Sequence, residues 1–309
     1  MADLEKTVAI IFNAVDNTGG AIVGMSRNID TFANNLESVA KPLNALADGV
    51  KTIDVAIVGL GLALGGAALL KAGEFGDQIN EIATLFNGTP EQIAAFSQEV
   101  QNYAATSSKS LADINGALYS AISAGVDYKA SVQFVSEAER LSVAGKSDLN
   151  ASTLVLVSTL NAYGASTSEA AHYSDILFNT VKLGQTTLPE LAQSLAQVTG
   201  IASSAGIPFD DLSAAIAALT ATGLPTSQAI TELKSAISNI IKPSGEAEKA
   251  AADLGIQFDS SALKSKGLAG VLKDVWDKTR GNTGEMTKFF GSVEGLNAAL
   301  VLGSDQSGK

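Results

Sequence analysis

Residues 87–105, NGTPEQIAAFSQEVQNYAA, carry the signals that decide the fold of this chain. Thr89 stands where a helix N-cap is expected, Pro90 suits the first helical position, and Glu91 places a negative charge in the first turn. Apolar side chains then recur on one helical face, at Ile93, Phe96, Val100 and Tyr103. The stretch therefore predicts an amphipathic helix with a defined start.

Similar start and stop signals recur along the rest of the chain. Ser166 and Glu169 form a capping-box pattern that marks a helix start. Only "GIQFD" at 255–259 suggests an extended segment, and it is at most one short piece. Glycines that can take the left-handed conformation without strain end the helical segments, at Gly125, Gly145, Gly164 and Gly184. Aromatic residues make up only 6% of the chain, which also favours helices over strands. We predict an all-α protein, with a compact multi-helix domain at 74–302 and a flexible tail at 303–309.

The N-terminal 54 residues carry a heptad pattern. Apolar residues follow alternating steps of four and three at Leu4, Val8, Ile11, Val15, Ile22, Met25, Ile29, Phe32, Leu36, Val39, Leu43, Leu46, Val50 and Ile53, and only Thr18 interrupts them. This period is typical of a coiled coil, so we predict a long helical arm at 1–54 that self-associates through this seam. The alternative is a long helix packed on its own chain, and Gly19, Gly20 and Pro42 favour interruptions.

An uncharged stretch, VAIVGLGLALGGAALL, follows at Val55–Leu70. As a helix it is about 24 Å long, shorter than the roughly 30 Å of a bilayer's hydrocarbon core. Small residues would let another helix approach closely, at Gly59, Gly61, Gly65 and Gly66. We interpret 55–73 as an apolar, glycine-rich buried helix, with insertion of 55–70 into the host bilayer as the alternative.

Composition and spacing exclude most chemistry. The net charge of −12 argues against specific nucleic-acid binding, and with no cysteine and one histidine the chain has few metal ligands. The N-terminus lacks the pattern of a secretory signal, which indicates a cytoplasmic origin. The pairs Glu137/Glu139 and Asp210/Asp211 are interpreted as helix caps or solvated faces. We predict no catalytic, cofactor-binding or metal-binding residues, and no enzymatic activity.

The order of several phrases is more specific than any one of them. In chain order the phrases are FGDQINEIATLF, SLADINGALYSAISAGVD, ASVQFVSEAERLSVAGKSDLNASTLVLVSTLNAYG, TTLPELAQSLAQVTGIASSAGIPFDDLSAAIAALTATG and FFGSVEGLNAALVL. Together they resemble the helical domain of phage tail tape measure proteins over residues 75–302. Gly125, Gly145, Gly206 and the pair Phe290-Gly291 occupy that family's recurring helix-stop positions.

The resemblance implies a structural role. Such a protein occupies the lumen of the tail tube, sets tail length during assembly in the host cytoplasm, and leaves the virion at DNA delivery. It implies a homo-oligomer with tail tube, tail tip or baseplate proteins and tail assembly chaperones as partners, and a transient host membrane contact. A fully helical chain of 309 residues would reach only roughly 460 Å, so we expect a piece of a longer protein.

Overall fold

The computed structural model describes residues 66–304, with side chains from residue 75 onward. The chain divides into two units, 1–73 and 74–309, and the described helices belong almost entirely to the second. The predicted arm, its seam residues from Leu4 to Ile53, and Gly59, Gly61 and Gly65 lie outside the described residues. Gly66 is the first residue of the first described helix, and its packing also lies outside the description.

Helices joined by short turns make up residues 66–304, and no strand occurs in this range. The helices are α1 Gly66–Ala83, α2 Pro90–Ala104, α3 Leu111–Ser123, α4 Tyr128–Ala144, α5 Leu149–Tyr163, α6 Ala170–Leu183, α7 Leu188–Ser194, α8 Ala196–Ala205, α9 Phe209–Ala221, α10 Thr226–Ile241, α11 Gly245–Leu254, α12 Ser260–Thr279, α13 Thr283–Met286 and α14 Val293–Gly303. A short 3-10 helix, Thr167–Glu169, precedes α6. The predicted all-α class is confirmed.

Two helices organise the core of the second unit. Helix α5 packs against α3, α4, α7 and α8, and helix α10 packs against α7, α8, α9 and α14. Helix α14 also packs against α12, so the last described helix is held from two sides. The buried apolar side chains form one continuous cluster that includes Ile114, Phe134, Leu156, Ile237 and Phe289.

The helix starts follow the sequence signals. Thr89 Oγ1 accepts a hydrogen bond from the Gln92 backbone N–H at 3.4 Å, and the Thr89 N–H donates to Gln92 Oε1 at 2.9 Å. Ser110 caps α3 in the same manner by accepting from the Asp113 N–H at 3.1 Å. The predicted capping box at Ser166 forms, although it opens the short 3-10 helix before α6.

The glycine stops have two different causes. Gly125 and Gly206 have φ of +102° and +76°, a conformation that glycine adopts without strain. The expectation of this conformation was wrong at Gly145 and Gly184, where φ is −88° and −93°, and the left-handed residue after α4 is Lys146. A Cβ at position 145 would lie 2.5 Å from Leu188 Cδ1, so close packing of the α4 end against α7 requires glycine there.

Two helical regions are interrupted. The region that follows Thr187 divides at Leu195 into α7 and α8. Helix α12 bends at Gly267, which has φ of +70°. Asp211 Oδ2 lies 2.7 Å from the position that a Cβ on Gly267 would take, so the carboxylate of α9 sits directly against this bend.

Four buried threonines satisfy the hydrogen bonds of their hydroxyl groups within their own helices. Thr153 donates to the Leu149 carbonyl at 2.8 Å, and Thr159 donates to the Val155 carbonyl at 2.6 Å. Thr220 and Thr279 donate in the same way, over 2.8 and 2.7 Å, to carbonyls four residues earlier. These hydroxyls fill space in the core without joining one helix to another.

Substitution of Gly184 tests the close approach of α6 to α9. Gly184 has φ of −93°, which any residue can adopt, but a Cβ there would lie 3.0 Å from Ala217 Cα and would also collide with Thr220 Oγ1. We expect Gly184→Ala to lower the free energy of unfolding by about 1–3 kcal/mol. Urea denaturation followed by the fluorescence of Trp276, the only tryptophan in the sequence, measures this.

Gly116→Ala is the matched control for Gly184→Ala. Gly116 lies inside α3, and no atom stands within 4 Å of the position of a new Cβ. The same added methyl group should therefore raise stability by about 0.5–1 kcal/mol through helix propensity. If both alanine variants shift the midpoint in the same direction, crowding at Gly184 is not the cause.

Candidate functional site

The most strongly hydrogen-bonded polar group on the described surface is the carboxylate of Glu139, on α4. Its Oε1 accepts from the Ser108 backbone N–H at 2.8 Å and from Ser108 Oγ at 2.7 Å. Its Oε2 accepts from Ser107 Oγ at 2.7 Å and from the Tyr103 hydroxyl. These donors belong to the end of α2 and to the loop that follows, so Glu139 holds the connection between α2 and α3 onto α4.

The ionisation of Glu139 follows from these contacts. Burial alone raises the pKa of its carboxyl group, but the hydrogen bonds from Ser107, Tyr103 and Ser108 outweigh it and lower the pKa to about 2. Burial, and then the bond to this carboxylate, raise the pKa of the Tyr103 hydroxyl. At neutral pH Glu139 is therefore an ionised hydrogen-bond acceptor and Tyr103 is a neutral donor. Neither group is suited to transfer a proton at that pH.

A surface groove of about 500 Å³ lies beside this network. Tyr103, Glu139, Arg140 and Val143 line it, and Arg140 forms an ion pair with Glu137 at 2.8 Å. The interpretation of Glu137 and Glu139 as helix caps or solvated faces was therefore wrong for Glu139. Glu137 and Glu139 point to different neighbours, and only Glu139 fixes a loop.

Acid should release the Glu139 contacts. Because the pKa is about 2 in the folded protein and 4.5 in the unfolded reference, Glu139 stabilises the fold above pH 4.5, and this contribution disappears as the pH falls toward 2. We expect Glu139→Gln to lower the urea midpoint at pH 6 and to flatten its decline between pH 4.5 and pH 2. Glu99→Gln, at an exposed site on α2, is the control that should leave the slope unchanged. Equal slopes for Glu139→Gln and the parent protein would contradict the assignment.

A second polar cluster, formed by the buried Thr186 and Thr226 and the exposed Glu190, joins α7 to α10. Thr226 Oγ1 lies 2.7 Å from both Thr186 Oγ1 and Glu190 Oε2. The Thr186 hydroxyl accepts a hydrogen bond from Thr226 and can itself donate to Glu190 Oε2, so all three groups are satisfied. The cluster therefore links the start of α7 to the start of α10. Its three residues do not form a nucleophile paired with a base.

An aromatic group packs α5, α6 and α9 together. The Tyr173 and Phe209 rings stack with centroids 5.2 Å apart, and Tyr163 lies 5.4 Å from Phe209. Burial raises the pKa of both tyrosines, and burial followed by the charge of Asp210 raises the pKa of Asp211. Asp210 and Asp211 lie in the first turn of α9 and are exposed, which agrees with a solvated face and not with a cap, since α9 has no side-chain cap hydrogen bond.

Neither a metal cluster nor a membrane span occurs within residues 66–304. No three acidic, histidine or cysteine side chains there are close enough to hold an ion, and no helix there is long and apolar enough to cross a bilayer. His172 is exposed on α6 with its ring edge-on to Tyr173. The polar clusters in this range thus fix loops and helix ends.

Sequence reasoning missed Glu232, the most unusual polar residue of the core. It lies on α10 with 0% exposure, and its Oε1 accepts from Gln228 Nε2 at 3.0 Å. Its Oε2 has no hydrogen-bond partner among the described residues. Its neighbours on the same helix face are polar or small, Gln228, Ala229, Ser235 and Ala236, so no apolar pattern in the sequence marked its burial.

These features define a class of protein: an all-α packing domain in which polar side chains hold loops and helix ends. The profile of the family described as "Phage-related minor tail protein" matches residues 97–292. The chain belongs to this family of phage tail proteins. The resemblance to tape measure proteins is confirmed by curated relatives that carry that name.

Three such relatives cover most of the chain. A "Probable tape measure protein" of Clostridium phage phiCD119 is 30% identical over 81% of this chain and 28% of its own length. The "Tape measure protein" of Pneumococcus phage Dp-1 is 23% identical over 94% of this chain and 27% of its own length. A "Probable tape measure protein" of Escherichia phage P2 is 22% identical over 85% of this chain and 34% of its own length.

The chain spans about a third or less of the length of these relatives. The relatives are named as phage tail components, which agrees with a place in the virion. No solved structure matches the chain.

Proposed function

We propose that this chain is part of a tape measure protein that occupies the lumen of a phage tail tube and sets tail length during assembly. The observation that carries the proposal is the similarity to named tape measure proteins over 81–94% of the chain. The all-α fold and the structural use of its polar clusters support a scaffold role without enzymatic activity. We further propose assembly in the host cytoplasm and release of the protein at DNA delivery.

Tail length measured by electron microscopy tests this proposal. In-frame deletions of extended helix elsewhere in the complete protein should shorten the tail by about 1.5 Å per residue removed. An in-frame insertion of equal size should lengthen it by the same amount. Tails of unchanged length in both variants would refute the ruler role.

The packed domain should behave differently from such helical segments. Residues in α5 and α10 contact several other helices, so a deletion inside them disrupts packing and does not simply shorten a rod. We expect deletion of one turn from α5 to prevent tail formation. Tails that are shorter by only that turn would show that the domain is extended in the tail.

We propose further copies of the chain, the tail tube, the tail tip or baseplate and the assembly chaperones as partners. Cross-linking of assembled tails with an amine-reactive reagent, followed by mass spectrometry, tests them. Three exposed lysines offer attachment points: Lys182 on α6, Lys242 directly after α10 and Lys249 on α11. Tails in which these lysines link to neither tube nor tip proteins would contradict a position in the lumen.

A further inference from the structure

A groove between α1 and α3 has the chemistry of a receptor for a basic side chain. It encloses about 270 Å³, room for a long side chain rather than a whole helix. Gln78 and Glu81 of α1 form one wall, and Asn115, Gly116 and Tyr119 of α3 form the other. No residue that lines the groove carries a positive charge.

The side-chain oxygen of Asn115 indicates that a hydrogen-bond donor comes from outside the described residues. Its side chain is only 3% exposed, and its Nδ2 donates to Gln78 Oε1 at 2.5 Å. Its Oδ1 has no hydrogen-bond partner among the described residues. Because a buried carbonyl oxygen without a donor is costly, the groove is complete only when a donor group reaches it.

The walls favour a cationic donor. Glu81 is exposed and has no ion pair with the described residues, and the ring of Tyr119 is 38% exposed. Residues 74–108 contain five acidic side chains and no basic one. A guanidinium group would bind the carboxylate and the amide oxygen and lie against the aromatic ring, which is the combination of contacts that arginine forms best.

Arg280 is a suitable arginine in the same chain. Of the two arginines in the described range, Arg140 pairs with Glu137, whereas Arg280 is exposed and pairs with no carboxylate in that range. Arg280 ends α12 in the left-handed conformation, with φ of +55°, and Gly281 packs closely on Trp276 below it. The tip that carries Arg280 is therefore fixed to the fold.

The groove and Arg280 lie on different parts of the domain, and these parts carry opposite charge. Helix α3 packs against α4 and α5, whereas α12 packs against α8, α9, α10 and α14. Residues 74–175 hold twelve acidic and four basic side chains, while residues 259–288 hold four acidic and six basic ones. This asymmetry favours contact between the acidic part of one molecule and the basic part of another.

We propose that the groove of α1 and α3 receives Arg280 of a second copy, so that copies associate head to tail. Such a contact joins different surfaces of the two molecules, and it therefore extends into a ring or an open chain. The proposal stands apart from the proposed ruler role, because it concerns only this domain and a second copy of it.

Site-specific cross-linking of the full chain tests the contact. The sequence contains no cysteine, so a single cysteine marks one position without interference. Chains with Ala112→Cys, at the groove, are mixed with chains that carry Lys278→Cys, beside Arg280, and treated with a short bismaleimide. We expect a linked dimer whose yield falls at high salt. In the control, Lys242→Cys replaces Lys278→Cys, because Lys242 is also exposed. The control corrects for any association through the N-terminal arm, and it should give only background cross-linking.

Charge variants in the cross-linking chains decide the assignment. Glu81→Gln in one chain, or Arg280→Gln in the other, should lower the yield at least about fivefold, whereas Glu99→Gln should leave it unchanged. Exchange of the charges, with Glu81→Arg in one chain and Arg280→Glu in the other, should restore the dimer. The proposal is overturned if the yield ignores both Gln substitutions, or if Lys242→Cys links as well as Lys278→Cys.

Discussion

Phe289→Ala is expected to lower the free energy of unfolding of the helical domain by about 3–5 kcal/mol. Phe289 is 1% exposed and lies between α13 and α14, within the FFG phrase that resembles tape measure proteins. Its ring meets the edge of Phe258 with centroids 5.1 Å apart, and Phe290 contacts the same ring at 5.6 Å. Removal of the ring leaves a cavity and takes away the aromatic contact with Phe258, which precedes α12.

Trp276 provides the measurement for Phe289→Ala. Helix α14 comes close to it, since a Cβ on Gly303 would lie 3.0 Å from Trp276 Cβ, and its fluorescence therefore reports on this packing. Val293→Ala is the matched control, because Val293 is 70% exposed at the start of α14 and its truncation should change stability by less than about 0.5 kcal/mol. A similar midpoint for both variants would show that the Phe289 ring does not stabilise the domain.

Glu232→Met is expected to raise the free energy of unfolding by about 1–3 kcal/mol. Glu232 is wholly buried and one of its carboxyl oxygens has no partner, so the folded state carries the cost of an unsatisfied polar atom. Methionine has a similar length, is flexible enough to fill the same space, and removes that cost. Thermal and urea midpoints of the full chain, read from Trp276, give the size of the change.

Gln228→Ala provides the opposite test of Glu232. It removes the donor that bonds to Glu232 Oε1 and leaves both carboxyl oxygens without a partner among the described residues, so it should destabilise the domain. When it is combined with Glu232→Met, most of this loss should vanish, because no carboxyl group remains to be satisfied. A destabilising Glu232→Met would show instead that the carboxyl group makes a necessary contact.

Local signals in the sequence predicted most of the secondary structure. Thr89 and Ser166 cap the helix starts that their side chains indicated, since a cap depends on residues within one turn. The bend at Gly267 and the division at Leu195 were missed, because they depend on which helices pack nearby. Gly145 was placed correctly but for the wrong reason, since the side chain that it accommodates belongs to Leu188.

The polar clusters could not be predicted in the same way. Glu139 and Glu137 are alike in sequence context, yet only Glu139 meets a loop more than thirty residues earlier in the chain. The burial of Glu232 follows from the helices that surround α10, which no pattern within α10 encodes. The expected coiled-coil seam and the glycine contacts at 59–66 remain predictions.

The hydroxyl groups that bond to their own helices have a consequence for the way this domain loses its structure. Separation of the helices exposes Thr153, Thr159 and Thr220 without breaking any of their hydrogen bonds. Helix formation and helix packing are therefore only weakly coupled through these groups. We expect a state in mild acid or denaturant that keeps its far-UV circular dichroism after the near-UV signal has gone. A chain with this property could pass from a packed bundle to a string of intact helices at little cost in polar contacts.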